Sequence, residues 1–163
     1  MKPFPLHCSG EDIVKSNEIL IVRTVLESGC SVELPASGFS MFPTFMPGNK
    51  VIIKPLSKGE VPEPGQVMVY FDGTKLVLHR LVKIINNGSD NPVFIAQGDS
   101  LILPDKPIMR EQIEGIAVSY KTGRKEYPVR TYIPGTWHHK FNRWLLWFYN
   151  RLLLVYRKIK EKL

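Results

Sequence analysis

The sequence predicts a mainly β fold: a bent antiparallel sheet or barrel with a short N-terminal helix and a C-terminal basic aromatic helix. Two observations carry the prediction. Between residues 31 and about 133, seven short runs rich in Val and Ile are separated by Gly, Pro, Asn and Asp. One pair of those runs, in "IINNGSDNPVFI", is joined through Asn87-Gly88, a strong hairpin signal because both residues tolerate the left-handed backbone of a tight turn. With 163 residues, 44% of them hydrophobic, the chain can bury one core and is short for two. The expected division is a segment and helix over residues 1–30, a β domain over 31–135 and a helix over 136–163.

In chain order, "MKPFPLHCSGEDIVK" has prolines and acids where the apolar core of a secretory signal would stand, so a retained N-terminus is expected. "SNEILIVRTVLESG" reads as a helix with Ser16 as N-cap, Glu18 in the first turn and Gly29 just past its end. Ile19, Val22, Leu26 and Val25 share its apolar face. With Arg23 and Glu27 inside, it is too short and too charged to span a bilayer. Cys8 and Cys30 offer neither a disulfide framework nor metal-ligand spacing, so two free thiols in a reducing cytoplasm are expected.

The strand runs are "SVELPAS", "KVIIKPL", "QVMVYFD", "KLVLHRLVKII", "PVFIAQGD", "IEGIAVSYK" and "EYPVRTYI". In the fourth, alternation puts Lys75, Val77, His79 and Leu81 on one face and Leu76, Leu78, Arg80 and Val82 on the other.

The net charge of +7 sits almost wholly in the tail. From Trp137 to Leu163 there are seven Lys or Arg residues against Glu161, which leaves the remaining residues near neutral. All three tryptophans, Trp137, Trp144 and Trp147, share that tail. Phe141, Leu145, Phe148, Leu152, Tyr156 and Ile159 recur at helical spacing. The dense stretch from Trp144 to Tyr156 would make a helix about 20 Å long, short of a ~30 Å hydrocarbon core. An anionic membrane surface is therefore the expected partner of this helix. Docking on the protein's own core or in a dimer is the alternative, and nucleic acid is disfavoured because no basic body continues the patch.

Chemistry concentrates in "SGFSMFPTF". Ser40 stands among Met41, Phe42 and Phe45, where an unpartnered hydroxyl costs about 1–3 kcal/mol, so it is either a turn residue or is held for reaction. His79 lies within a strand, and Asp99 and Asp105 come from the loop "QGDSLILPDKP". A serine, a histidine and an aspartate on separate β elements are what a nucleophile, its base and an orienting carboxylate require. Taken singly, each is also compatible with an ordinary core, turn or cap role.

"SGFSMFPTFMPGNKVII", "GEVPEPGQVMVYF", "LVLHRLVKI", "FIAQGDSLILPD" and "EQIEGIAVSY" resemble, in order and spacing, the type I signal peptidase superfamily, which includes the self-cleaving domains of SOS-type repressors. The resemblance covers roughly residues 33–120. Ser40, Met41, Pro43 and Thr44 match its serine box. His79-Arg80 resembles the endoplasmic-reticulum and sporulation-type branch, which has His-Arg where the bacterial enzymes and repressors use lysine.

The resemblance implies a Ser40/His79/Asp105 triad, with Asp99 as a supporting carboxylate, and Met41 and Arg80 also in supporting positions. It implies a serine endopeptidase, without cofactor, cutting an extended segment of a peptide or protein precursor. The alternative is a non-catalytic or self-cleaving regulatory module on the same fold. Lys75 shares the strand face of His79 but lies about 13 Å away along the strand, and ranks below it as base. The chain departs from the family at Asn49, Gln66, Ser100 and Leu101, and at Gly38, where a serine often donates to the oxyanion. Gly38 leaves the backbone N–H of Ser40 as the main donor, with Ser37 open as a second.

Overall fold

The strand-like runs pair into one sheet. The computed structural model describes residues 10–57, 59–86 and 91–160. Among these, seven strands form an antiparallel, curled half-barrel: β1 (Val32–Pro35), β2 (Lys50–Pro55), β3 (Val67–Phe71), β4 (Leu76–Ile85), β5 (Val93–Gln97), β6 (Ile113–Thr122) and β7 (Lys125–Pro128). Their order is β1-β2-β6-β3-β4-β5, with β7 also on β6. One edge of β6 runs along β2; the other is shared, its start by β3 and its end by β7. Register shifts at Ile52/Ile53, Val69/Tyr70 and Leu81/Lys83 add local bends to the sheet. The expected hairpin pairs β4 with β5, Ile85 opposite Val93; Asn87-Gly88 lies outside the described residues.

Alternation along β3 and β4 makes a two-sided wall. Val67 and Val69 enter a cluster with Val22, Leu26, Met41, Phe45 and Ile53, and Leu76 and Leu78 pack against it. Met68, Tyr70 and Leu81 enter a second cluster with Phe94, Ile108 and Ile116, joined by Val77. Full burial of side chains such as Phe45 or Phe94 contributes about 1.5–3 kcal/mol each.

Two boundaries differ from expectation. Helix α1 runs Gly10–Glu27, so Ser16 is inside it and is not its N-cap, and Glu18 is past the first turn. Its C-terminal end is as expected: Gly29 has φ +84°. Val22 and Leu26 are buried, and Arg23 pairs with Glu114 of β6. The last strand stops at Pro128 and does not continue to Ile133, because the following backbone is used elsewhere. The Arg130 carbonyl accepts from Arg80, and the Tyr132 N–H donates to the Gly65 carbonyl.

Helix α2 spans Thr136–Lys160. No helix among the described residues is long and apolar enough to cross a membrane. Cys30 is a free, exposed thiol, and Cys8 lies outside the described residues.

Candidate active site

The loop from β1 to β2 carries Ser40, β4 carries His79, and the segment after β5 carries Asp105. All three line one cleft of about 550 Å³, whose walls include Leu34, Val69, Leu76 and Leu78. His79 Nδ1 lies 2.6 Å from Asp105 Oδ2. A carboxylate only accepts, so Nδ1 is the donor in this contact, and Nε2 is the nitrogen that offers a lone pair whenever the ring holds a single proton. Asp105 is itself held: its N–H donates to the Ala96 carbonyl, and the Tyr70 hydroxyl donates to Oδ2 at 2.9 Å. Burial, and then the Asp105 charge, push the Tyr70 phenol well above its ordinary pKa, so it remains a donor. The Ser40 hydroxyl makes no hydrogen bond to other described residues; its side chain is half-buried at the cleft wall.

Asp99 is arranged differently. It is fully buried and absent from the cleft wall, and it faces Arg80, also fully buried, through Nε–Oδ1 and Nη2–Oδ2 contacts of 2.8 Å each. The guanidinium continues to the carbonyls of Gly65 and Arg130 and lies 4.1 Å from the centre of the Tyr132 ring. Thr44 donates to Asp99 Oδ2, and Asn142 of α2 donates to the Asp99 carbonyl at 3.0 Å. His79 and Arg80, adjacent in one strand, thus serve the cleft and the interior respectively.

The serine loop is pinned from the Asp99 side. Ser100 N–H donates to the Ser40 carbonyl, and its hydroxyl reaches the carbonyls of Phe39 and Ser40. A Cβ on Gly98 would stand 2.6 Å from the Ser40 carbonyl oxygen, so only glycine permits this approach. Gly38 has open space around it and no left-handed φ; it lines the cleft without a steric need for glycine. Met41 is buried in the core beneath the loop. Lys75 lines the same cleft, at the turn where Asp72 accepts its backbone N–H.

Two positions where the chain departs from the resemblance have local partners. Asn49 is buried, accepting from the Met46 N–H and donating to Thr122, and Gln66 accepts from the Glu63 N–H. Sequence reading missed Tyr70, Gly98, Ser100, Tyr132 and Asn142 as supports of the site. Tyr70, Gly98 and Ser100 stand inside runs that carry the resemblance, but the partners of all five are remote in sequence. No protein-family model matches the chain, and no curated protein matches it.

Proposed function

We propose that the chain is a serine endopeptidase of signal-peptidase type, acting on an extended segment of a peptide or protein precursor through Ser40, His79 and Asp105. One observation carries the reading: in a cleft shared with Ser40, His79 turns Nδ1 to Asp105 at 2.6 Å, leaving Nε2 as the basic nitrogen. His79 takes the Ser40 proton as the hydroxyl oxygen attacks the scissile carbonyl, then delivers it to the leaving amine, a role worth typically 10²–10⁴-fold. Asp105 holds the tautomer and stabilises the imidazolium, and Tyr70 fixes the carboxylate. The Ser40 backbone N–H is the main donor to the oxyanion; a lost donor of this kind costs ~10²–10³ in rate.

Asp99 and Arg80 support this assignment by their mutual saturation, because a carboxylate occupied by a guanidinium and Thr44 is a poor partner for a second cation. The test compares new peptide N-termini, by mass spectrometry, in host cells carrying wild type or Ser40→Ala. Cleavage products present only with wild type are expected. Identical products from both would overturn the reading, and a new terminus solely within the chain itself would mark a self-cleaving module.

A further inference from the structure

Helix α2 has two faces of opposite character. One is docked: His139 and Asn142 are buried, Asn142 reaches the Asp99 carbonyl, and Tyr149 packs on Phe39 and Phe42 beside the serine. The other carries Trp137, Phe141, Trp144 and Phe148, a continuous ladder with successive ring centroids 5.3, 5.9 and 5.9 Å apart. Its members are turned outward; Trp137 and Trp144 are 69% and 54% exposed, and Trp147 beside them 61%. Of the face expected from the sequence, Phe141, Phe148 and Leu152 are exposed and Leu145 is half-buried, whereas the side chains of Tyr156 and Ile159 lie outside the described residues.

An exposed apolar face this long calls for an occupant, and charge selects among them. The helix holds six cations, Lys140, Arg143, Arg151, Arg157, Lys158 and Lys160, and no acid. A second copy packed on the ladder would set like charges against like: the positions that continue its four-three-four spacing are Arg151, Val155 and Lys158, and no acid of the helix can pair the two cations among them. An anionic lipid surface meets both demands: tryptophan rings settle at headgroup depth, and lysine and arginine beside them meet lipid phosphates. We propose that the outward face of α2 is a binding surface for anionic bilayers, with the helix lying in the membrane plane while its inner face stays on the protein. The inference is independent of the peptidase reading.

All three tryptophans of the chain lie on α2, so emission excited selectively in tryptophan reports this helix alone. The full chain is titrated with equimolar phosphatidylglycerol/phosphatidylcholine vesicles and with pure phosphatidylcholine vesicles. Emission and co-sedimentation are followed at about 50 and about 300 mM salt. The expected result is a blue shift and sedimentation with the anionic vesicles only, weakened by salt. At least a tenfold weaker partition is expected for Trp144→Ser/Phe148→Ser, and likewise for Lys140→Gln/Arg151→Gln. Absence of binding to anionic vesicles overturns the proposal, as does equal binding by the charge variant, which leaves the ladder and the fold intact. A concentration-dependent blue shift without lipid, lost in the Trp144→Ser/Phe148→Ser variant, would assign the face to a second copy instead.

Discussion

Tyr70 donates its hydroxyl to the same Asp105 oxygen that faces His79 Nδ1, so one carboxylate oxygen serves two donors from adjacent strands. The imidazole is therefore positioned by a carboxylate that is itself oriented, and each of these groups can be altered separately.

Replacing Asp105 by Asn removes the charge while keeping the shape. By analogy with the corresponding change in a serine protease, turnover should fall about 10⁴-fold while substrate binding changes little. Steady-state and single-turnover assays on a peptide substrate separate the two, and a variant with near wild-type kcat would show that Asp105 does not orient the base.

Asp99→Asn acts on the fold. It leaves Arg80 buried without its counter-charge, an effect of about 3–5 kcal/mol for a broken interior pair. For a chain of this length, thermal unfolding should drop by roughly 10 °C. If the melting temperature is unchanged and turnover alone collapses, the roles given to Asp99 and Asp105 are reversed.

The Tyr70 phenol gives a signature at high pH. Its pKa in the folded protein is raised, by burial first and the Asp105 charge second, above an unfolded value of about 10. The stabilisation linked to its proton is thus complete below about pH 10 and is lost as the pH rises towards the folded value. Tyr70→Phe should lower stability by about 1–2 kcal/mol at neutral pH. Denaturant titrations should find that gap constant to about pH 9.5 and shrinking beyond; a gap that stays constant through pH 11.5 contradicts the linkage.

Gly98→Ala tests the seat of the serine loop. The added carbon meets the Ser40 carbonyl at 2.6 Å and the Leu101 side chain at 2.9 Å, and a backbone carbonyl cannot step aside alone. We expect a loss of about 1–3 kcal/mol in stability and, from displacement of Ser40, at least a tenfold fall in turnover. Normal kinetics in this variant would show that the two loops are not in register-critical contact.

The strands were legible because each carries its own signal: β-branched residues in short runs, with turn residues at the ends. Ser40, His79 and Asp105 could be picked out because the runs that carry them resemble a family's motifs in order and spacing, and the three do share a cleft. What stayed hidden depends on contacts across the sheet. Nothing local in "QVMVYFD" marks Tyr70 as a partner of Asp105, 35 residues away. Ser16 resembled an N-cap, yet the helix begins upstream at Gly10, since a capping residue does not oblige a helix to begin. For α2 the sequence offered docking or a membrane as rivals. The helix docks by Asn142 and Tyr149 and leaves its aromatic ladder outward, a distinction that periodicity alone could not draw.

The adjacency of His79 and Arg80 also bears on how the chain finds its native state. Slipping β4 by a single residue would turn the imidazole inward to Asp99 and send the guanidinium into the cleft, stranding a buried carboxylate beside the wrong donor. Molecules that pair β4 incorrectly are penalised by the loss of the buried Asp99–Arg80 pair. A chain stable enough to persist therefore already has its histidine on the cleft side, so a test for correct folding also reports on the His79–Asp105 contact.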